Sequence, residues 1–108
     1  MVNPNNFSPI PACENRALTA WTYRGLQYYR GVVVATYYNH TLTPNARRRD
    51  CIRDVGVNAG HLASRSDHSG GVHVVFADGA VRFINNNIDA NTWLALGTKA
   101  GKESVASF

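Results

Sequence analysis

The stretch Asp67-His68-Ser69-Gly70-Gly71-Val72-His73-Val74-Val75-Phe76-Ala77-Asp78-Gly79-Ala80-Val81-Arg82-Phe83-Ile84 reads as a β-hairpin hinged at Asp78-Gly79. Two residues of Asp-Gly type between β-branched and aromatic runs favour a type I′ turn, in which both central positions have φ > 0. The register then follows by counting. Ala77 faces Ala80, Phe76 faces Val81, Val75 faces Arg82, Val74 faces Phe83 and His73 faces Ile84. Side chains alternate along a strand, so Val72, Val74, Phe76, Val81 and Phe83 share one face, the expected core face. His73, Val75, Ala77, Ala80, Arg82 and Ile84 share the other.

Working outward from the hairpin, Asn85-Asn86-Asn87 breaks the second strand, Asp89 is placed to cap a helix over 90–96, and Gly97 is placed to end it in αL. Trp93, Leu94 and Leu96, with Ile88 before the cap, form an apolar side that fits against the hairpin.

On the amino-terminal side the signals are less regular. Leu18 to Tyr23 and Gln27 to Tyr38 read as strands, interrupted by Gly25 and Gly31, with Val32 to Val34 as a continuous apolar run. Adjacent tyrosines at 28 and 29, and at 37 and 38, point to opposite faces of a strand, so at least one of each pair is expected to look outward. The fold class expected is mainly β with minor α: a small antiparallel sheet domain with a carboxy-terminal hairpin (72–77/80–84) and one short helix (90–96). Residues 1–12 are expected to form an extended arm, 13–98 a single domain, and 99–108 a tail.

With 108 residues and 44% hydrophobic content the chain suits one core. Charged residues make up only 17%, and the polar surface rests on amides and hydroxyls, which suits an exported protein. Met1 to Pro11 lacks the basic and apolar regions of a signal peptide, and no run of 18 apolar residues occurs, so no transmembrane segment is expected.

The region from Ser64 to Glu103 resembles the carboxy-terminal end of a planctomycete family of pilin-like proteins, a domain of unknown function marked by a His, nine residues, then Asp-Gly. Here that is His68 followed by Asp78-Gly79. Arg82-Phe83, Ile88-Asp89, Thr92-Trp93, Ala95-Leu96-Gly97-Thr98 and Gly101-Lys102-Glu103 continue the pattern, and Pro44-Asn45 and Cys51 match more weakly upstream. Ser69, His73, Ala80 and Lys102 depart from it, standing for Pro, Asn, Ser and Gly. The resemblance implies a pilin-like context in which His68, Gly70, Gly71, Asp78, Gly79 and Trp93 are structural. Such proteins begin with a prepilin leader and a long apolar helix; its absence here leads to the expectation of a chain that has lost that helix or is a processed piece.

Cys13 and Cys51 fit neither a redox C-x-x-C nor a zinc pair and are expected to form a disulfide, which implies an oxidising compartment. Closing a loop of about 38 residues stabilises a fold by roughly 4 kcal/mol on the chain-entropy argument. In the Pro-rich arm, Val2, Phe7 and Ile10 are the side chains able to plug a groove on a neighbour.

His40, His61, His68 and His73 with Asp67, Asp78 and Asp89 raise the question of a catalytic or metal site. A strand between His68 and Asp78 separates them by about 20 Å or more, so the motif is not a shared site. Asp89 with the Asn85 to Asn87 carbonyls lacks the carboxylate density of a calcium loop. No catalytic residue, metal ligand or cofactor is assigned. Arg47-Arg48-Arg49 and Arg53 alternate with Asp50 and Asp54, which reads as a solvated or subunit-pairing surface; no nucleic-acid partner is expected, and an anionic polysaccharide or cell-wall polymer is the comparable alternative for an acidic partner. Asn6 and Asn39 fit the glycan acceptor pattern.

The expected function is a structural subunit that builds a helical filament of like copies, extracellular or at the cell surface, through its arm and strand edges. The alternative is a monomeric surface module that binds polysaccharide or another envelope protein. A third reading is a half-domain whose sheet a partner chain completes.

Overall fold

The computed structural model describes residues 22, 24–33, 35–52 and 60–98. Among these the architecture is mainly β with minor α. The element order is β1 (Cys51–Ile52), β2 (Gly60–His61), β3 (Gly71–Val75), β4 (Val81–Asn85) and α1 (Ala90–Leu96). β1 pairs with β2 and β3 with β4, both antiparallel, in two separate two-stranded sheets.

The hairpin forms where the sequence placed it, one residue out of the expected register. Val75 faces Val81, Val74 faces Arg82, His73 faces Phe83 and Val72 faces Ile84. The connection is a three-residue loop. Phe76 N donates to Ala80 O at 2.8 Å and Gly79 N to Phe76 O at 2.9 Å, the pattern of a type I turn closed by a G1 bulge. A type I′ turn needs positive φ at Asp78 as well as at Gly79, and here only Gly79 has it, at +84°. Asp78 keeps the ordinary region, and its Oδ1 accepts from Ala80 N at 2.9 Å.

That one residue exchanges the faces of the second strand. Ile84, expected outside, is buried with Val72 and Trp93. Val81 and Phe83, expected in the core, are 62% and 46% exposed beside Val75 at 68%. Val74, Phe76, Ile88 and Leu96 pack around the Val72, Ile84 and Trp93 centre, so the expected docking of the helix on the hairpin holds through Trp93, Ile88 and Leu96.

Asp89 caps α1: its Oδ2 accepts from Thr92 N at 2.9 Å. Gly97 ends the helix at φ −85°, ψ −6°, not in αL. Its lack of a side chain serves a close approach, because a Cβ there would lie 2.7 Å from Cγ of His40.

Among the described residues the strand expected over Gln27 to Tyr38 is absent; residues 24–33 and 35–38 are turns and irregular backbone closed at the base by Gly25 N to Ala35 O at 2.9 Å. Local bonds from Arg30 N to Gln27 O, Val32 N to Arg30 O and Ala35 N to Val32 O occupy groups that a ladder would need. Tyr28, Tyr29, Tyr37 and Tyr38 are all exposed, which no alternating strand produces. Of the strand expected over Leu18 to Tyr23, all but Thr22 lies outside the described residues, as do the expected arm (1–12) and tail (99–108). No helix among the described residues is long and apolar enough to cross a membrane.

Candidate functional site

The segment 39–42 joins the two halves of the described domain. Asn39 grips β2 and the residue after it. Its N donates to Leu62 O at 2.9 Å, its Nδ2 to Gly60 O at 2.6 Å, and its Oδ1 accepts from Leu62 N at 3.3 Å. Thr41 Oγ1 donates to Asn39 Oδ1 at 2.6 Å and accepts from His61 Nδ1 at 2.7 Å. The threonine has one hydroxyl proton and the asparagine oxygen can only accept, so the network assigns the imidazole proton to Nδ1. His61 is 1% exposed, and its remaining nitrogen, Nε2, is buried with no hydrogen-bond partner among the described residues.

Between Asn39 and Thr41, His40 turns toward the helix. Its ring stacks on Trp93 at 4.0 Å and 21°, and its Nδ1 donates to Trp93 O at 2.6 Å. Tyr38 adds a third ring, stacked 6.3 Å from Trp93. Trp93, itself buried, donates Nε1–H to Leu42 O at 2.8 Å.

Burial lowers the pKa of both imidazoles from the ordinary 6.5, with the Trp93 carbonyl partly opposing this at His40; burial also raises the Tyr38 phenol. A group that binds its proton less readily when folded makes stability rise with pH. The full contribution is present above about pH 6.5 and is lost as pH falls from there through the folded-state values. Each imidazole supplies at most about 1.4 kcal/mol per pH unit in that window. Urea midpoints at pH 7.5 and 5.5 are therefore expected to differ, with the acid sample less stable; equal midpoints would contradict the assignment.

His68 stands at the other side of the hairpin's base. It is exposed on the rim of an open cleft of about 540 Å³, bordered by Asn45, Ser66, Asp67, Ser69 and Asn86. Asn45 organises that loop cluster. Its Oδ1 accepts from Ser66 N at 2.8 Å, its Nδ2 donates to Asn86 Oδ1 at 2.9 Å, and its backbone sits at φ +52°, in the left-handed region that asparagine tolerates. His68 N donates to Ser66 Oγ at 3.1 Å, and the His68 ring lies edge-on to His73, 6.5 Å away. Gly70 and Gly71 lead from this loop into β3, whereas Asp78 and Gly79 are at its far end. The structure thus brings Trp93 to the core, His68 to a surface cleft and Asp78 to a turn, and does not join them in one site.

Among the described residues no group of three His, Cys, Asp or Glu side chains is arranged to hold a metal. The oxygens considered for calcium serve the backbone: Asp89 caps α1 and Asn85 Oδ1 accepts from Asn87 N at 2.8 Å. The Asn39 side-chain nitrogen that would carry a glycan donates to Gly60 O. Asn6 and the arm residues Val2, Phe7 and Ile10 lie outside the described residues. Cys51 carries no free thiol, while Cys13 lies outside the described residues.

Asp50 pairs with arginines distant from it in the chain. Its carboxylate meets Arg24 and Arg65, each at 2.8 Å, and accepts from Ala63 N at 3.1 Å. Arg65 also donates to Ala46 O and Arg48 O, each at 2.7 Å. Arg53 and Asp54 lie outside the described residues. Sequence reasoning missed this ion network, the Asn39/Thr41 clasp and the Asn45 hub. The signals available were an Asn-x-Thr that can bond locally and a Pro-Asn turn pair.

The model of a family described as Protein of unknown function (DUF1559) matches residues 12–91. No curated protein and no solved structure matches the chain.

Proposed function

The chain belongs to the DUF1559 family of proteins of unknown function, and from that premise we propose that it is a structural, pilin-like subunit of an extracellular or cell-surface filament. The observation that carries this reading is the outer face of the hairpin. Val75, Val81 and Phe83 lie together there, apolar and exposed, on a sheet that has two strands among the described residues. A contiguous exposed apolar face is a surface for another chain. Contacts between unlike surfaces of identical copies propagate into a helical fibre.

In this reading Cys13 and Cys51 form a bridge that ties the amino-terminal arm to the domain, and Val2, Phe7 and Ile10 reach a neighbouring copy. The absence of a free thiol at Cys51 supports the bridge. The protein is non-catalytic, and its motif residues shape the hairpin and its loops.

The test is Val75→Lys combined with Val81→Glu. These residues face each other across the strands, so the new opposite charges are compatible with the pair while the apolar face is lost. Negative-stain microscopy and sedimentation of non-reduced protein are expected to show polymers from the natural sequence and dispersed monomers from the variant, with unchanged circular dichroism. Monomers from both chains at every concentration, or equal polymers from both, would overturn the proposal.

A further inference from the structure

The irregular backbone of residues 24–33 and 35–38 displays a set of side chains that the filament reading does not use. Tyr28 is 87% exposed and Tyr29 71%, and Leu26 and Tyr37 are exposed on the same loop. Concentrated exposed apolar side chains of this kind mark an interaction surface. The loop backbone is braced: Gly25 N donates to Ala35 O, Thr36 Oγ1 donates to Arg30 O at 2.7 Å, and Arg30 Nη1 donates to Gln27 Oε1 at 2.9 Å.

Charge identifies the partner. From Arg24 to Arg49 the chain carries arginines at 24, 30, 47, 48 and 49 and not one Asp or Glu. The Arg24–Asp50 ion pair brings the base of the loop to the end of the 47–49 run. Asp50 pairs with Arg24 and Arg65, and Arg47 and Arg48 are exposed. Arg30, Arg47 and Arg48 are exposed and positively charged, which attracts an anionic polymer.

The ring geometry narrows the choice further. Tyr28 and Tyr29 sit edge to face, with centroids 5.7 Å apart and planes at 87°. Successive nucleic-acid bases stack best on parallel plates. A pyranose ring asks for one aromatic face under its C–H groups and a phenol at its hydroxyl groups, which an exposed edge-to-face tyrosine pair supplies. We propose that the Leu26–Tyr37 loop, with the neighbouring Arg47 and Arg48, is a binding surface for an acidic polysaccharide.

The test uses the full chain, titrated by calorimetry with polygalacturonate, neutral dextran and poly(dT). Polygalacturonate is expected to bind, weakening with added salt, and to bind about tenfold more weakly to Tyr28→Ala/Tyr29→Ala. Arg47→Gln/Arg48→Gln is expected to reduce the salt dependence. All four substituted side chains are exposed, so thermal melts of the variants should match the unsubstituted chain. Tighter binding of poly(dT) than of polygalacturonate, equal affinity for dextran, unaltered binding by the tyrosine variant, or no binding to polygalacturonate would each overturn the proposal. None of these outcomes depends on whether the hairpin face assembles filaments.

Discussion

Trp93→Ala is expected to lower the unfolding free energy by about 3–5 kcal/mol, a large share of what holds a small domain together. Trp93 is 1% exposed and sits at the meeting point of the hairpin's inner face, helix α1 and the segment 38–42. Truncation opens a cavity against Val72 and Ile84 and leaves Leu42 O without its indole donor. It also removes the surface on which the His40 and Tyr38 rings stack. Trp93→Phe separates the two contributions, since it keeps an aromatic ring and loses only the N–H and some volume. A smaller loss is expected for it than for Ala. Urea unfolding followed by far-ultraviolet circular dichroism measures both, and an unchanged midpoint for Trp93→Ala would remove this residue from the core.

Gly71→Ala is expected to cost about 3 kcal/mol and to open the first rung of the hairpin. An added Cβ would fall on the Ile84 backbone carbonyl oxygen and within 2.7 Å of Phe83 Cζ. Phe83 can swing, being half exposed, but the Ile84 carbonyl belongs to the paired strand and moves only if β4 moves. Gly71 pairs with Asn85, and the next rung is Val72 with Ile84, two of the three fully buried members of the central core. Separation at the first rung therefore loosens the core itself. Gly79→Ala is the informative comparison. Gly79 has open space around its Cα but φ +84°, so its substitution costs only the left-handed backbone penalty of about 1–2 kcal/mol. Amide exchange across β3 and β4 is expected to accelerate strongly in Gly71→Ala and weakly in Gly79→Ala; the reverse order would show that turn strain, not strand approach, governs the hairpin.

These two glycines show how the sequence was legible. The alternation Val72, Val74, Phe76 and the Asp78-Gly79 pair located the hairpin because strand period and turn chemistry are properties of a few adjacent residues. The helix bounds and the Asp89 cap were readable for the same reason: a capping oxygen serves an amide only three residues away. The register was not. Asp-Gly suits both a two-residue and a three-residue loop, and the choice transfers Ile84 into the core in place of Phe83. Local propensity hardly distinguishes those loops, whereas the fit of Ile84 beneath Trp93 does.

Residues 24–38 failed for a related reason. Val32 to Val34 and four tyrosines have strand-like composition, but a strand needs a neighbour to receive its backbone bonds, and here turns satisfy them locally. Gly97 was correctly seen as a helix end but given a local cause, a left-handed cap. Its cause is the ring of His40, 57 residues away in the chain.

The hairpin and its turn residues, the capped helix with its apolar Trp93 side, and the family resemblance were all readable before any packing was known, because each is written in residues within a few positions of one another. Packing of distant residues set which hairpin face is buried, that Asn39 and Thr41 clasp β2, that Asp50 pairs with Arg24 and Arg65, and that Tyr28, Tyr29 and Tyr37 stand in solvent while Tyr38 lies on Trp93. Those outcomes depend on which distant groups come to lie against one another. Burial and hydrogen-bond satisfaction are properties of that packing, and local propensity does not encode them.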